Sequence, residues 1–231
     1  MSVNKKDYLD TIPKFYNDQI KASFSLKNFP YSKKDDRSLF AKKNGYNFNS
    51  LIVPEQSHSI NVAFCTNSGI ISNCDGVFTN NLHNVCTIQV ADCMPIFFCH
   101  RRIPVFGVVH AGWRGLVDGI LSATCNLLSD REYNLFDFEV IIGPSIQECC
   151  FEVKKDILSN FNKKFIKYIS NNVSRINLQG HASYDLINMG FDRAKIIKMD
   201  ECTFCGEDRF HSYRRDGSNS GRMFGIIGIS E

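Results

Sequence analysis

No stretch of this 231-residue chain approaches the roughly 18 consecutive apolar residues that a membrane-spanning helix needs. The opening, Met-Ser-Val-Asn-Lys-Lys-Asp-Tyr, also lacks the apolar core of a secretory leader, so a cytoplasmic protein with no membrane partner is expected. Charge of one sign is missing too. The 27 Lys and Arg nearly balance the 24 Asp and Glu, and the lysine pairs Lys5-Lys6, Lys33-Lys34, Lys42-Lys43, Lys154-Lys155 and Lys163-Lys164 are dispersed. They read as solvated faces and give no basic stripe for nucleic acid. No repeat and no long biased segment is visible, so one domain over residues 1–231 is expected, with the polar 1–34 less clearly part of it.

What the chain does have is an ordinary globular composition, 43% hydrophobic and 22% charged, which argues against extended disorder. It also has ten cysteines, which in a reducing compartment are ligands, catalysts or plain buried thiols before they are disulfides. Cys65, Cys74, Cys86, Cys99 and Cys125 lie in apolar surroundings and read as inert core thiols. A helix is expected around 35–44 and a short strand at 50–53. Strands follow at 60–64, 76–79, 85–90, 94–99 and 105–109, from their β-branched and aromatic content. An apolar stripe of Leu116, Ile120, Ala123, Leu127 and Leu128 predicts a helix from 115 to about 130. Strands at 138–142, 194–199 and 223–229 and helices at 154–169 and 183–190 complete the pattern. With no regular βαβ cycle, this is an α+β single-domain layered sandwich, mixed β-sheets flanked by helices in an αββα-like order.

The most informative run is Ala91 to Gly115, ADCMPIFFCHRRIPVFGVVHAGWRG. Cys93 and His110 lie equally far from the Arg101-Arg102 pair, between two strand-like flanks. A hairpin centred there makes them direct cross-strand neighbours, with Cβ atoms about 4.5–5.5 Å apart. That is the geometry of two metal ligands or of a Cys-His dyad. His-Arg-Arg-Ile is a poor two-residue turn, however, and Pro95 and Pro104 weaken the pairing. His58, just before the strand at 60–64, is a third ligand candidate. Two histidines and a cysteine suit zinc, and three protein ligands with an open position mark a catalytic zinc, whose bound water ionises near neutrality. Gly112-Trp113-Arg114-Gly115 opens the following helix. It reads either as a phosphate-binding turn using Arg114 or as core packing for Trp113, with Arg114 paired to a carboxylate.

Five motifs in order resemble the YfiH or laccase-domain family, also called multicopper polyphenol oxidoreductases. They are Ala-Asp-Cys-Met-Pro (91–95), His-Ala-Gly-Trp-Arg-Gly (110–115), Ile-Gly-Pro-Ser-Ile-Gln-Glu-Cys-Cys-Phe-Glu-Val (142–153), Cys-Thr-Phe-Cys (202–205) and Ser-Tyr-Arg-Arg-Asp-Gly-Ser-Asn-Ser-Gly-Arg-Met (212–223). The resemblance covers roughly residue 35 to the end. It implies that His58, Cys93 and His110 hold the metal, zinc before copper. It further implies a purine nucleoside phosphorylase and adenosine deaminase acting on adenosine, inosine and methylthioadenosine, with purine nucleosides and phosphate as partners. The implied site residues are Asp92 for orientation or proton transfer, Arg114 for catalysis and phosphate, and Gln56, Arg37 and Cys149 around the substrate. Where the family has Gln-Val-His-Gly this chain has Gln56-Ser57-His58-Ser59, losing a glycine with access to positive φ.

Other readings compete. Cys93 as nucleophile with His110 as base would make a cysteine hydrolase or amidase, for which peptidoglycan precursors are one substrate class. A copper polyphenol oxidase is the weaker reading, because six histidines with no His-x-His pair are too few. A zinc-stabilised module without activity is a further alternative. Cys149-Cys150 and Cys202-x-x-Cys205 invite a structural zinc, but adjacent cysteines are poor co-ligands, and loop-packing thiols are expected instead. His83, His100, His181 and His211 read as surface or packing residues, and the oligomeric state stays open.

Overall fold

The central strands are built from apolar runs that cover both faces of a sheet. In the computed structural model, which describes residues 8–9, 15, 17–29 and 36–230, all seven residues of Met94–His100 (β8) and all six of Phe106–Ala111 (β9) are buried. They lie in the middle of a six-stranded sheet whose order from one edge is Ile196–Lys198 (β14), Phe138–Ile142 (β10), β8, β9, Gly76–Thr79 (β6) and Val62–Phe64 (β4). A second six-stranded sheet runs Tyr8–Leu9 (β1), Ile20–Ser25 (β2), Met223–Ile229 (β15), Val85–Val90 (β7), Leu51–Pro54 (β3) and Gly69–Ile71 (β5). Glu152–Val153 (β11), Ser174–Ile176 (β13) and Ile166–Tyr168 (β12) make a small antiparallel third sheet.

Strand alternation sorts the core into layers. Phe97 and Cys99 of β8, Phe106 and Val108 of β9, Ile88 of β7 and Ile227 of β15 fill the space between the two large sheets. The alternate residues Met94, Ile96, Phe98, Val109 and Ala111 face outward, onto Trp113–Asp118 (α2), Ile120–Ser129 (α3) and Leu178–Asn188 (α4). On the far side, Phe40 and Ala41 of Asp36–Lys43 (α1) cover Leu51, Val85, Phe224 and Ile226. The order is helix, sheet, sheet, helices, the αββα sandwich expected.

Strands at 76–79, 85–90, 138–142 and 223–229 fall where their composition put them. Three helical expectations change. The 115–130 stripe is two helices, because Gly119 takes φ +103° and donates its N–H to Gly115 and Leu116, ending α2 and starting α3. The 154–169 segment is not an α-helix. It forms short 3₁₀ turns at Lys155–Asn160 and Lys163–Phe165 and then β12, since the Asn162 side chain caps a new turn at Lys164 N and Phe161 is drawn against Trp113. The helix expected at 183–190 begins earlier, at Leu178, where Asn177 accepts from Gly180 N at 2.7 Å. Residue 35 of the first expected helix and just over half of 1–34 lie outside the described residues. Strands β2 and β5 and the short helix Tyr213–Asp216 (α5) were not anticipated.

Chain crossings position the site. The sequence passes from the β3 sheet to the β8 sheet three times, through the loops β3–β4, β5–β6 and β7–β8, with β3 parallel to β5 and β7 and β4 parallel to β6. The three crossings leave parallel strand ends and so converge on one rim.

Gly107 of β9 lies under the Phe78 ring, and a Cβ there would come within 2.4 Å of it. Gly107→Ala is expected to lower stability by about 1–3 kcal/mol in urea unfolding, the cost of overpacking a filled core; an unchanged midpoint would show that the ring can yield.

Candidate metal centre

Each crossing loop delivers one polar group to the rim: His58 from β3–β4, Asp75 from β5–β6 and Cys93 from β7–β8, with His110 near the end of β9. The donor atoms of His58, Cys93 and His110 lie within 4.8 Å of one another, with Cys93 Sγ 3.9 Å from His58 Nε2 and the two imidazole rings 4.8 Å apart. A tetrahedral zinc with Zn–S of about 2.3 Å and Zn–N of about 2.0–2.1 Å sets its ligands roughly 3.3–3.8 Å apart, so small rotamer adjustments suffice for this set. A metal ion fits these residues.

The hairpin is real but its register differs from the expectation by two. The ladder pairs Pro95 with His110 and Cys99 with Phe106, which leaves Arg101–Pro104 as the turn. His100 closes that turn, its Nδ1 accepting from Arg102 N and Ile103 N. Cys93 thus stands diagonal to His110 and opposite Gly112. A slip of two preserves the face, so the pair still meets. Gly112 supplies the room: a Cβ there would lie 2.9 Å from the Cys93 sulfur and 3.0 Å from the His58 ring.

Asp75, which residue type and motif did not single out, organises the centre. It is fully buried and directly opposite His110 across the β6–β9 ladder, where His110 N donates to its carbonyl at 2.7 Å and His110 Nδ1 to its Oδ1 at 2.8 Å. Nε2 of His110 is left for the metal, the carboxylate–histidine–metal arrangement that fixes tautomer and ring plane. The same carboxylate accepts the backbone N–H groups of Ser57, His58 and Ser59 and the Ser59 hydroxyl. Burial alone would raise its pKa, but the bonds from His110 and Ser59 and then Ser57 bring it down to about 2. The loop's positive φ, +60°, falls on His58 itself, not on Ser59 where the family has glycine, and the three N–H bonds to Asp75 hold that strained residue in place.

Burial would also raise the Cys93 thiol, yet the adjoining charge and hydrogen bond of His110, then those of His58, hold it at about 6. His110 is pushed up to about 9: burial opposes this, and the Cys93 and Asp75 charges and hydrogen bonds override it. Both shifts favour a thiolate–imidazolium pair near neutral pH.

A cavity of about 560 Å³ opens over these groups, lined among others by Trp113, Arg114, Phe151, Tyr213, Arg214 and Arg222. That volume suits a small organic ligand. Arg114 is exposed, lies over the Trp113 ring at 4.6 Å and lines the cavity, while Trp113 packs against Phe161. Gln56 lines the cavity but uses both ends of its amide on the Gln89 backbone, at 2.8 and 2.7 Å. Asp92, with φ +78°, accepts from Thr203 Oγ1 at 2.6 Å, Ser212 Oγ at 3.0 Å and Arg214 N at 2.6 Å. It pins the Cys-Thr-Phe-Cys and Ser-Tyr-Arg-Arg motifs to the rim. Arg37, at the start of α1 and lowered by burial to about 10, does not line the cavity, and neither does Cys149. Tyr213, Arg214 and Arg222 belong to a motif used above only for the resemblance.

With this geometry in view, comparison with known proteins is decisive. The family described as "Multi-copper polyphenol oxidoreductase laccase" matches residues 15–230. The chain belongs to this family. It is 32% identical over 181 residues to a Shigella flexneri protein named purine nucleoside phosphorylase YfiH, spanning 75% of this chain and 71% of that one. It is 29% identical over 208 residues to adenosine deaminase RL5 from an unknown prokaryotic organism, spanning 82% and 79%. The crystal structure of the Bacillus licheniformis hypothetical protein YfiH shares the fold, with a TM-score of 0.86 at 22% identity over 98% of this chain and 100% of that one. No helix among the described residues is long and apolar enough to cross a membrane.

Two outcomes are expected. Because the Asp75 carboxylate is depressed to about 2, its contribution of about 2–3 kcal/mol is fully present above pH 4–5 and is lost as the pH falls through its folded value. Asp75→Asn turns acceptors toward three N–H donors with only one oxygen, so it should flatten that acid window in pH-dependent unfolding and weaken zinc binding about 10–100-fold; an unaltered acid limb would remove Asp75 from this role. Zinc binding between about pH 7 and 8 should release about one proton, the Nε2 proton of His110, because Cys93 is already ionised there. Calorimetry in buffers of different ionisation enthalpy measures it, and heats that do not depend on the buffer would contradict the ion pair.

Proposed function

We propose that this protein is a zinc-dependent purine nucleoside enzyme that phosphorolyses adenosine, inosine and methylthioadenosine and deaminates adenosine. The observation that carries the reading is one cavity joining the His58–Cys93–His110 donor set to a wall of aromatic rings and guanidinium groups. The names of the relatives, one a nucleoside phosphorylase and another an adenosine deaminase, support it. A purine ring is flat and apolar on its faces, and Trp113, Phe151 and Tyr213 offer matching surfaces. Phosphate is a planar-donor target, and Arg114, Arg214 and Arg222 offer forked donors. Zinc, when bound, supplies Lewis acidity and lowers the pKa of a coordinated water.

The chain's own residues do the positioning. Arg214 is fixed at three points: its backbone N–H on Asp92, its guanidinium on the Glu152 carbonyl at 2.8 Å, and its charge over the Phe151 ring at 5.2 Å. We assign Asp92 a positioning role through Arg214, since its carboxylate is already engaged by three donors. Arg114 is the exposed cation of the set. Phosphorolysis needs phosphate held against the ribose C1 while the base departs, and a guanidinium steadies the charge that moves between them.

A specific observation supports a second reading. The Cys93 thiolate beside the His110 imidazolium is an activated nucleophile of the kind used by cysteine hydrolases and amidases. Zinc-loaded protein incubated with adenosine, with and without phosphate, separates the two. The nucleoside reading expects adenine and ribose 1-phosphate only when phosphate is present and inosine without it; release of neither overturns it. Activity that survives full chelation and is abolished by iodoacetamide instead marks the thiol enzyme. Arg114→Ala, at an exposed position, should raise the KM for phosphate about tenfold, the loss of about 1.4 kcal/mol, with deamination little changed. An unchanged phosphate KM would remove Arg114 from phosphate binding.

A further inference from the structure

The thiols of Cys149, Cys150, Cys202 and Cys205 converge in the fold, all within 4.8 Å of one another. Cys205 Sγ lies 3.3 Å from Cys150 Sγ and 3.8 Å from Cys149 Sγ. Around a tetrahedral zinc with Zn–S of about 2.3 Å, sulfurs sit roughly 3.8 Å apart, so this is the spacing of a four-thiolate site. The objection to adjacent co-ligands is met by the local turn. Cys150 N and Phe151 N both donate to Gln147 O at 2.9 Å, and the tight reversal directs neighbouring side chains to one side.

A second observation is independent of the spacing. Gly206 N donates to Cys202 O at 2.9 Å, closing Cys202–Gly206 as a tight turn whose two thiols both belong to the cluster. Cys-x-x-Cys-Gly thus forms a knuckle that presents two thiols to one point, as in four-thiolate zinc sites. The two turns are already joined by the backbone, through Ser145 N to Glu201 O and Thr203 N to Ser145 O.

We propose that Cys149, Cys150, Cys202 and Cys205 form a second, structural zinc site, separate from the His58–Cys93–His110 centre. With four protein ligands the site is closed and does no chemistry of its own. Its place explains its use: it clasps the turn carrying Ile146 and Phe151 of the cavity wall to the turn carrying Thr203, whose hydroxyl holds Asp92. The proposal does not rest on nucleoside turnover.

The test is a metal count with thiol mapping, on protein purified under reducing conditions, zinc-loaded and dialysed. Wild type should hold two zinc ions per chain, and Cys93→Ser and the double variant Cys202→Ser/Cys205→Ser one each. A single zinc in wild type that disappears in Cys93→Ser overturns the site. With cobalt in place of zinc, the sulfur-to-metal charge-transfer absorbance should fall in the double variant to about one fifth, one thiolate remaining of five; an undiminished band overturns it. Should the variants fail to fold, the unaltered protein decides. Zinc should shield the peptides bearing Cys149, Cys150, Cys202 and Cys205 from alkylation, and chelation should expose all four as free thiols. Equal labelling with and without zinc, or recovery of these residues as disulfides from freshly isolated protein, refutes the proposal. Both readouts are indifferent to whether adenosine is a substrate.

Discussion

Everything at the rim depends on one buried carboxylate. Asp75 holds His110 by its ring nitrogen and the His58 loop by three consecutive amides, so two of the three candidate metal ligands take their orientation from a single acceptor. A buried charge is costly unless its lone pairs are filled, and here five donors fill them. The burial that would otherwise neutralise the group makes it rigid. Asp92 repeats the device one loop away, accepting from two hydroxyls and one amide and so fastening the later motifs to the same rim.

The His58 loop and the Asp92 loop both store backbone strain. His58 and Asp92 are two of the four non-glycine residues with positive φ among the described residues, and each is locked by hydrogen bonds to or from a carboxylate. Strain of this kind, of order 1–3 kcal/mol per residue, persists only where surroundings over-determine it. It gives the ligands a fixed approach to the metal position. Ser59 shows how the chain departs from its relatives without losing the loop: in place of glycine's freedom it adds a hydroxyl bond to Asp75.

The inner strands were legible because apolar runs such as Val85–Val90 and Phe138–Ile142 are buried on both faces and bounded by turns. The 154–169 segment was not, since its Ile, Leu and Phe spacing imitates a helix until Asn162 caps a fresh turn. Strand β5 escaped notice because Gly69 and Ile70 are exposed on an edge, with no alternation to read. Residue type and motif singled out His58, Cys93 and His110, and parity kept Cys93 and His110 on one face despite the register error. Asp75 had no such signal. It lies 35 residues from His110, and only the β6–β9 pairing makes them neighbours. The rule that a metal-bound histidine wants a carboxylate behind it is the clue that would have sent attention to the Asp-Gly step before the strand at 76–79. The clustering of four thiols was equally hidden, since it follows from the joining of two turns over fifty residues apart.

The seat of β15 has a consequence for the order of assembly. This strand is inserted between β2 and β7, and Phe224 N reaches Ser25 Oγ across 199 residues of chain. Closing such a loop is slow, because its entropy is spent before its contacts form. The sheet that feeds all three crossings therefore stays open until β15 has taken its place between β2 and β7. Until then His58, Cys93 and His110 belong to separate loops, and the rim that gathers them takes shape only when the long-range strand is seated.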